Sequence, residues 1–126
     1  MIAWLAILVF VLVVLIWYHY HSKKVVAIEF FYLPGCPACQ NSRPYWEHIK
    51  NAIKKSPDSK INGLNVVEYN VLLDGRKIAE KEGIVYVPAI TKKYGDGRRV
   101  QYPSYGFTKD KTPNNWEPET VIGWLL

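Results

Sequence analysis

Cysteine is scarce in this 126-residue chain, with only Cys36 and Cys39 present. A structural zinc site needs about four protein ligands, and beyond the two thiols the chain offers only His19, His21 and His48. No two of these histidines stand at ligand spacing, and two lie beside a hydrophobic segment, so a metal held within one chain is disfavoured. Charge is absent from Met1 to Tyr18. No Lys or Arg precedes that apolar run, and Tyr18-His19-Tyr20-His21-Ser22 lacks a small-x-small cleavage site, which argues against a removable signal peptide. There is no Asn-x-Ser/Thr sequon, no internal repeat and no low-complexity tract. A recognisable nucleic-acid-binding motif is missing too. The net charge of +5 is spread over separated pairs such as Lys54-Lys55, Lys92-Lys93 and Arg98-Arg99, interleaved with acids. That distribution fits a solvated surface with some attraction to acidic headgroups, and excludes nucleic acid as the expected partner.

What is present at the N-terminus is a run of Leu, Ile and Val through residue 20, long enough as a helix to cross a hydrocarbon core of about 30 Å. Trp4, Trp17, Tyr18 and Tyr20 lie toward its two ends, where amphipathic rings favour the membrane interface. The expected organisation is a transmembrane anchor over residues 1–20, a short linker over 21–24, and one domain over 25–126. Lys23 and Lys24 follow the anchor, and this charge bias places the C-terminal domain in the cytosol, with a lumenal domain as the alternative.

The two cysteines stand at C-x-x-C spacing in Cys36-Pro37-Ala38-Cys39, after a strand-like run and before a helical pattern. If the first cysteine caps the helix, the next turn brings the second sulfur alongside, and helix-terminal N–H groups stabilise the first thiolate. Such a pair supplies a nucleophile, Cys36, and an internal thiol, Cys39, that resolves a mixed disulfide. A purely structural disulfide closing so short a loop would gain little chain entropy.

Lys24–Tyr32 is nearly continuous in apolar and β-favouring residues, as in a central strand buried on both faces. Leu33-Pro34-Gly35 breaks it. Residues from Cys36 to about Lys55 read as a helix with Tyr45, Ile49, Ala52 and Ile53 facing a core and Pro44 as an internal kink. Leu64–Val71 reads as a second buried strand after a loop containing Asn62-Gly63. A short helix follows, with Asp74 as its N-cap and Gly83 as its stop. Residues 88–94 and 98–102 flank Gly95-Asp96-Gly97 as a hairpin, and 117–126 predicts a final helix.

This β-α-β-α-β-β-α order, with C-x-x-C at the first strand-to-helix junction, resembles the thioredoxin-like superfamily over about Lys24 to Leu126. Pro44, eight residues after Cys36, matches the proline that kinks the family's active-site helix. Val87-Pro88 resembles the hydrophobic residue and cis-proline that face the dithiol and present backbone to an extended substrate, although most X-Pro bonds are trans. Gly106 matches a glycine lining the same groove. The resemblance implies an α/β thioredoxin-like fold, with a central mixed sheet flanked by helices, behind the transmembrane helix. It further implies thiol–disulfide exchange at Cys36 and Cys39 and a substrate groove at Val87, Pro88 and Gly106.

The chain also departs from the family. Gly35 stands where thioredoxins usually have Trp, so a bulky rim falls to Tyr32 or Tyr45. Phe30 stands where they bury an Asp, and Glu29, one position earlier, is the candidate proton shuttle to Cys39. The Pro37-Ala38 dipeptide is similar to that of glutaredoxins and some bacterial disulfide-forming proteins, yet no Gly-Gly pair follows Pro88, and no glutathione is assigned. The expected activity is that of a membrane-anchored oxidoreductase acting on protein thiols and disulfides. It uses no cofactor beyond its own disulfide and exchanges electrons with an unidentified donor or acceptor. A redox-inactive binding module at a membrane is the alternative, and a metal or cluster shared through Cys36 of two chains is a third.

Overall fold

Val25–Tyr32 carries the β-branched and aromatic residues that suit a pleated, buried surface. It forms the first strand, β1, in a computed structural model that describes residues 1–103 and 115–126. The other strands are β2 (Asn65–Asn70), β3 (Ala89–Tyr94) and β4 (Arg99–Gln101). They form one mixed sheet in the order β2-β1-β3-β4. β1 pairs in parallel with β2 and antiparallel with β3, while β3 and β4 form the expected hairpin. β1 is therefore interior to the sheet, and five consecutive residues from Ala27 to Phe31 are buried. β2 differs from its sequence expectation. It is an edge strand with no residue fully buried, because nothing pairs along its outer side among the described residues and apolar content alone does not reveal sheet order.

The apolar N-terminal helix α1 spans Ile2–Ser22 and buries none of its residues against the domain. It runs two residues past the expected boundary at Tyr20. His21 and Ser22 are therefore helical, and only Lys23 and Lys24 separate α1 from β1.

Helix α2 (Pro37–Lys55) buries Cys39, Ser42, Trp46, Ile49 and Ile53. That alternating three- and four-residue spacing is one stripe of an α-helix. The stripe passes through Trp46, which is fully buried, whereas Tyr45, expected in the core, is exposed. One residue is about 100° of helical rotation, enough to move a side chain off the buried face. Pro44 lies inside α2 and leaves the carbonyl of Gln40 without its usual donor.

A four-residue helix, α3 (Ser59–Asn62), occupies what reads as loop. Asp58 caps it by accepting from the Lys60 N–H at 2.9 Å, and Ile61 packs into the core. Helix α4 is Arg76–Glu82, ending at Gly83 with φ 66°, a left-handed conformation that glycine adopts without steric cost. Asp74 does not cap it. Its carboxylate accepts instead from the Asn70 N–H at the end of β2, at 3.0 Å. Helix α5 is Pro118–Leu125.

The two faces of β1 meet different surroundings because strand side chains alternate. Ile28 and Phe30 point into the core with Trp46, Ile49, Ile53, Val121 and Leu125. Phe30 stacks on Trp46 at 5.0 Å between centroids and meets Trp116 edge-on at 6.0 Å. The opposite face carries Ala27, Glu29 and Phe31, with α4 over it through Glu82, which contacts Arg99 and Gln101.

Candidate active site

The end of β1 delivers the chain to the dithiol. Gly35 takes φ 77°, and the Cys36 N–H bonds back to the Leu33 carbonyl at 3.2 Å. This turn reverses the chain into α2. Cys36 is the N-cap of α2 with extended backbone, φ −75° and ψ 119°, and Pro37 opens the helix. Its fixed φ suits that position, where the missing N–H costs nothing. The Cys36 sulfur accepts from the Cys39 N–H at 3.3 Å. A thiolate there lies at the positive end of the helix dipole and receives a backbone donor.

The two sulfurs differ in access. Cys36 is half-buried and Cys39 is 5% exposed, and both are free thiols. Burial raises the Cys39 pKa from 9.0 to about 11, with neighbouring Cys36 also raising it and the Leu33 backbone and the Arg43 charge pulling it down. Cys36 is the more accessible of the two thiols, and Cys39 is held protonated at neutral pH.

Burial also raises Tyr69 and Tyr102 above their usual 10.0. Groups whose pKa is higher folded than unfolded give stability that is complete below the unfolded pKa and lost as pH rises through the folded value. The fold is therefore expected to weaken between about pH 9 and 11. Cys39 alone accounts for about 2 kcal/mol by pH 11. Urea midpoints at pH 8, 9.5 and 10.5 check this, with a shallower decline expected for Cys39→Ala.

Pro88 lies at the same end of the sheet. Ala89 is paired with Phe31, so Val87-Pro88 enters β3 beside the point where β1 leaves for Cys36. The Val87–Pro88 bond is cis and Pro88 is buried. Beside it, Val85 and Tyr86 are 85% and 83% exposed and border a cleft of about 130 Å³. Gly106 lies outside the described residues.

Glu29 is not placed for proton exchange with Cys39. It is 1% exposed and accepts from the Thr91 hydroxyl at 2.9 Å and from Arg99 Nε and Nη2 at 2.8 and 3.2 Å. Phe30, its neighbour, faces α2, so strand alternation turns Glu29 to the far face. The two-pronged pairing with Arg99 gives it a structural role.

The carboxylate on the α2 side is Glu68, which sequence reasoning missed. It stands opposite Phe30 on β2 and is ion-paired with Arg43, one turn beyond Cys39, and with Lys50 at 3.1 Å. These cations hold its carboxyl below the usual 4.5. The Arg43 guanidinium covers the rings of Phe30 and Tyr32, at 5.2 and 5.1 Å from their centroids. A lone charge in an apolar strand was the available signal, but only the register between β1 and β2 places it. Among the described residues no group of three or more His, Cys, Asp or Glu is gathered as a metal site.

No family model and no curated protein sequence matches the chain. Solved structures do. The first thioredoxin domain of mouse protein disulfide-isomerase A4 aligns with a TM-score of 0.60 at 18% identity, covering 85% of this chain and 65% of that one. The first two thioredoxin domains of Saccharomyces cerevisiae Eps1p align at 0.57 and 22% identity, covering 86% and 36%. The Trx4 domain of ERdj5 aligns at 0.57 and 17%, covering 86% and 87%. The chain thus spans about a third of the Eps1p structure and under two thirds of the isomerase one. At these identities the likeness shows the fold, and the fold is thioredoxin-like.

Proposed function

We propose that this chain is a membrane-anchored thiol–disulfide oxidoreductase acting on protein substrates. The observation that carries the reading is the Cys36 sulfur at the α2 N-terminus, accepting the Cys39 N–H and more exposed than Cys39. In the reducing direction the Cys36 thiolate attacks a substrate disulfide, forming a mixed disulfide and expelling one substrate thiolate. Cys39 then loses its proton and attacks the Cys36 sulfur. The Cys36–Cys39 disulfide forms and the second substrate thiol leaves, so that two electrons pass to the substrate. Oxidation is the reverse. An extended substrate pairing its backbone near Val87 beside cis-Pro88 would be held over the dithiol.

The anchor in this reading is α1. Its 21 residues have a mean hydropathy of 2.5 over the best window, enough to cross a membrane by length and composition, as a signal sequence also would be. Lys23 and Lys24 favour a cytosolic domain. α1 joins β1 at the end opposite the dithiol, so Cys36 stands about 25 Å farther along the strand. With β1 standing along the bilayer normal, substrates would be engaged above the bilayer, not against it.

The test is the reduction potential of the pair, read by alkylation of the full chain in detergent equilibrated with graded glutathione or dithiothreitol buffers. A potential below about −250 mV identifies a reductase, and one above about −200 mV a disulfide donor or isomerase. A pair that never cycles overturns the enzymatic reading and leaves a binding module.

A further inference from the structure

The pole of the domain opposite the dithiol carries two adjoining clefts, of about 690 and 660 Å³. Lys24, Val25, Lys60 and Tyr94 line both. Lys93 lines the first, and Lys23 and Lys92 the second. Lys23, Lys24, Lys60 and Lys93 are in no ion pair among the described residues. Lys92 is committed, donating to the Trp124 carbonyl at 2.7 Å with its ammonium over that ring. Asp96, in the first cleft, accepts from the Arg98 N–H, and Asp58 from the Lys60 N–H. Four lysines in no ion pair thus line clefts whose one side-chain carboxylate is Asp96, leaving an excess of positive charge.

The position of these clefts says which anion they meet. Gly95 N–H bonds the Lys24 carbonyl at 2.9 Å, and a Cβ on Gly95 would stand 2.2 Å from the His21 carbonyl oxygen. The β3–β4 turn is therefore seated against the end of α1, with Tyr20 in the wall of the second cleft. If α1 spans a bilayer, as proposed above, the clefts open at headgroup depth. Leu125 and Leu126 add an apolar wall beside the lysines, suiting a ligand that is anionic at one end and apolar at the other.

The geometry points to a binding site for the headgroup of an anionic phospholipid, formed by Lys23, Lys24 and Lys60 where α1 meets the domain. This inference rests on the anchor reading. Lys60 is its distinctive member, because α3 brings it to the anchor through the fold, whereas Lys23 and Lys24 follow α1 in sequence. A zwitterionic lipid has no net charge for these lysines to attract.

The experiment uses the full chain in non-ionic detergent, with bound lipids counted by native mass spectrometry during titration with phosphatidylglycerol or phosphatidylcholine. One phosphatidylglycerol is expected to be retained at about tenfold lower concentration than phosphatidylcholine. Lys60→Glu, a change of two charge units, should abolish that roughly tenfold preference, while Lys77→Glu, an exposed charge change on α4, should leave it intact. Equal retention of the two lipids, or an unchanged preference in Lys60→Glu, overturns the site. Displacement of the lipid by millimolar glycerol phosphate would assign it to soluble phosphates instead. Alkaline carbonate extraction of membranes tests the anchor separately: a chain released by carbonate refutes the anchor whatever the lipid counts.

Discussion

Cys36→Ser is expected to abolish turnover of a protein disulfide, with a loss of at least about a thousandfold, while Cys39→Ser stops the reaction halfway. The half-exposed Cys36 at the helix N-terminus is the sulfur a substrate can reach, and serine in its place offers no comparable nucleophile at neutral pH. Cys39 is too buried to attack a substrate first, and its pKa of about 11 keeps it a thiol until the mixed disulfide has formed. Cys39→Ser should therefore react once and accumulate a covalent adduct one substrate heavier, released by dithiothreitol. Non-reducing gels and intact-mass measurement with a reducible protein substrate check both outcomes. If Cys39→Ser turned over like the parent chain, the resolving role would be lost. If neither variant changed anything in a functional assay, the dithiol would be idle and the domain a binding module.

Arg99→Met is expected to destabilise the domain by about 3–5 kcal/mol, because it strands a buried carboxylate. Glu29 is 1% exposed, and both of its oxygens receive hydrogen bonds from the Arg99 guanidinium. The hydroxyls of Thr91 and Tyr69 that remain beside it are neutral donors and do not balance its charge. Folding stabilities are typically only about 5–15 kcal/mol, so the urea midpoint should collapse. The paired replacement Glu29→Leu with Arg99→Met should recover much of the loss, since an apolar pair removes the uncompensated charge. Glu29→Gln separates this role from proton transfer. It should lower stability while leaving the pH profile of mixed-disulfide resolution unchanged. A shifted profile with intact stability would restore Glu29 as the proton shuttle.

The parts of this molecule legible in the sequence are those decided by neighbours along the chain. β1 followed from its unbroken β-favouring run, and the junction at Cys36 from Leu33-Pro34-Gly35 breaking it before a helical pattern. The β3–β4 hairpin followed from Gly95-Asp96-Gly97. Helix phase was read less well. Apolar spacing puts Tyr45 in the core where Trp46 belongs, because the stripe has to be counted from Cys39, whose burial no periodicity announces. The capping role of Asp74 failed for a related reason: the same carboxylate serves the turn after β2 equally well.

An apolar N-terminal helix, one α/β domain, and a dithiol at a strand-to-helix junction are legible along the chain. Each depends on composition, period or spacing within about twenty residues. Which side chains meet across the fold depends on how these elements pack. The register of β2 against β1 set Glu68 beside Phe30 and under Arg43, the pairing of β3 with β4 carried Arg99 across 70 positions to Glu29, and α3 brought Lys60 to the end of α1. Such meetings depend on strand order, register and the face a side chain takes. One residue of register reverses that face, so the same charged residues read from the sequence alone leave their partners, and hence their roles, undetermined.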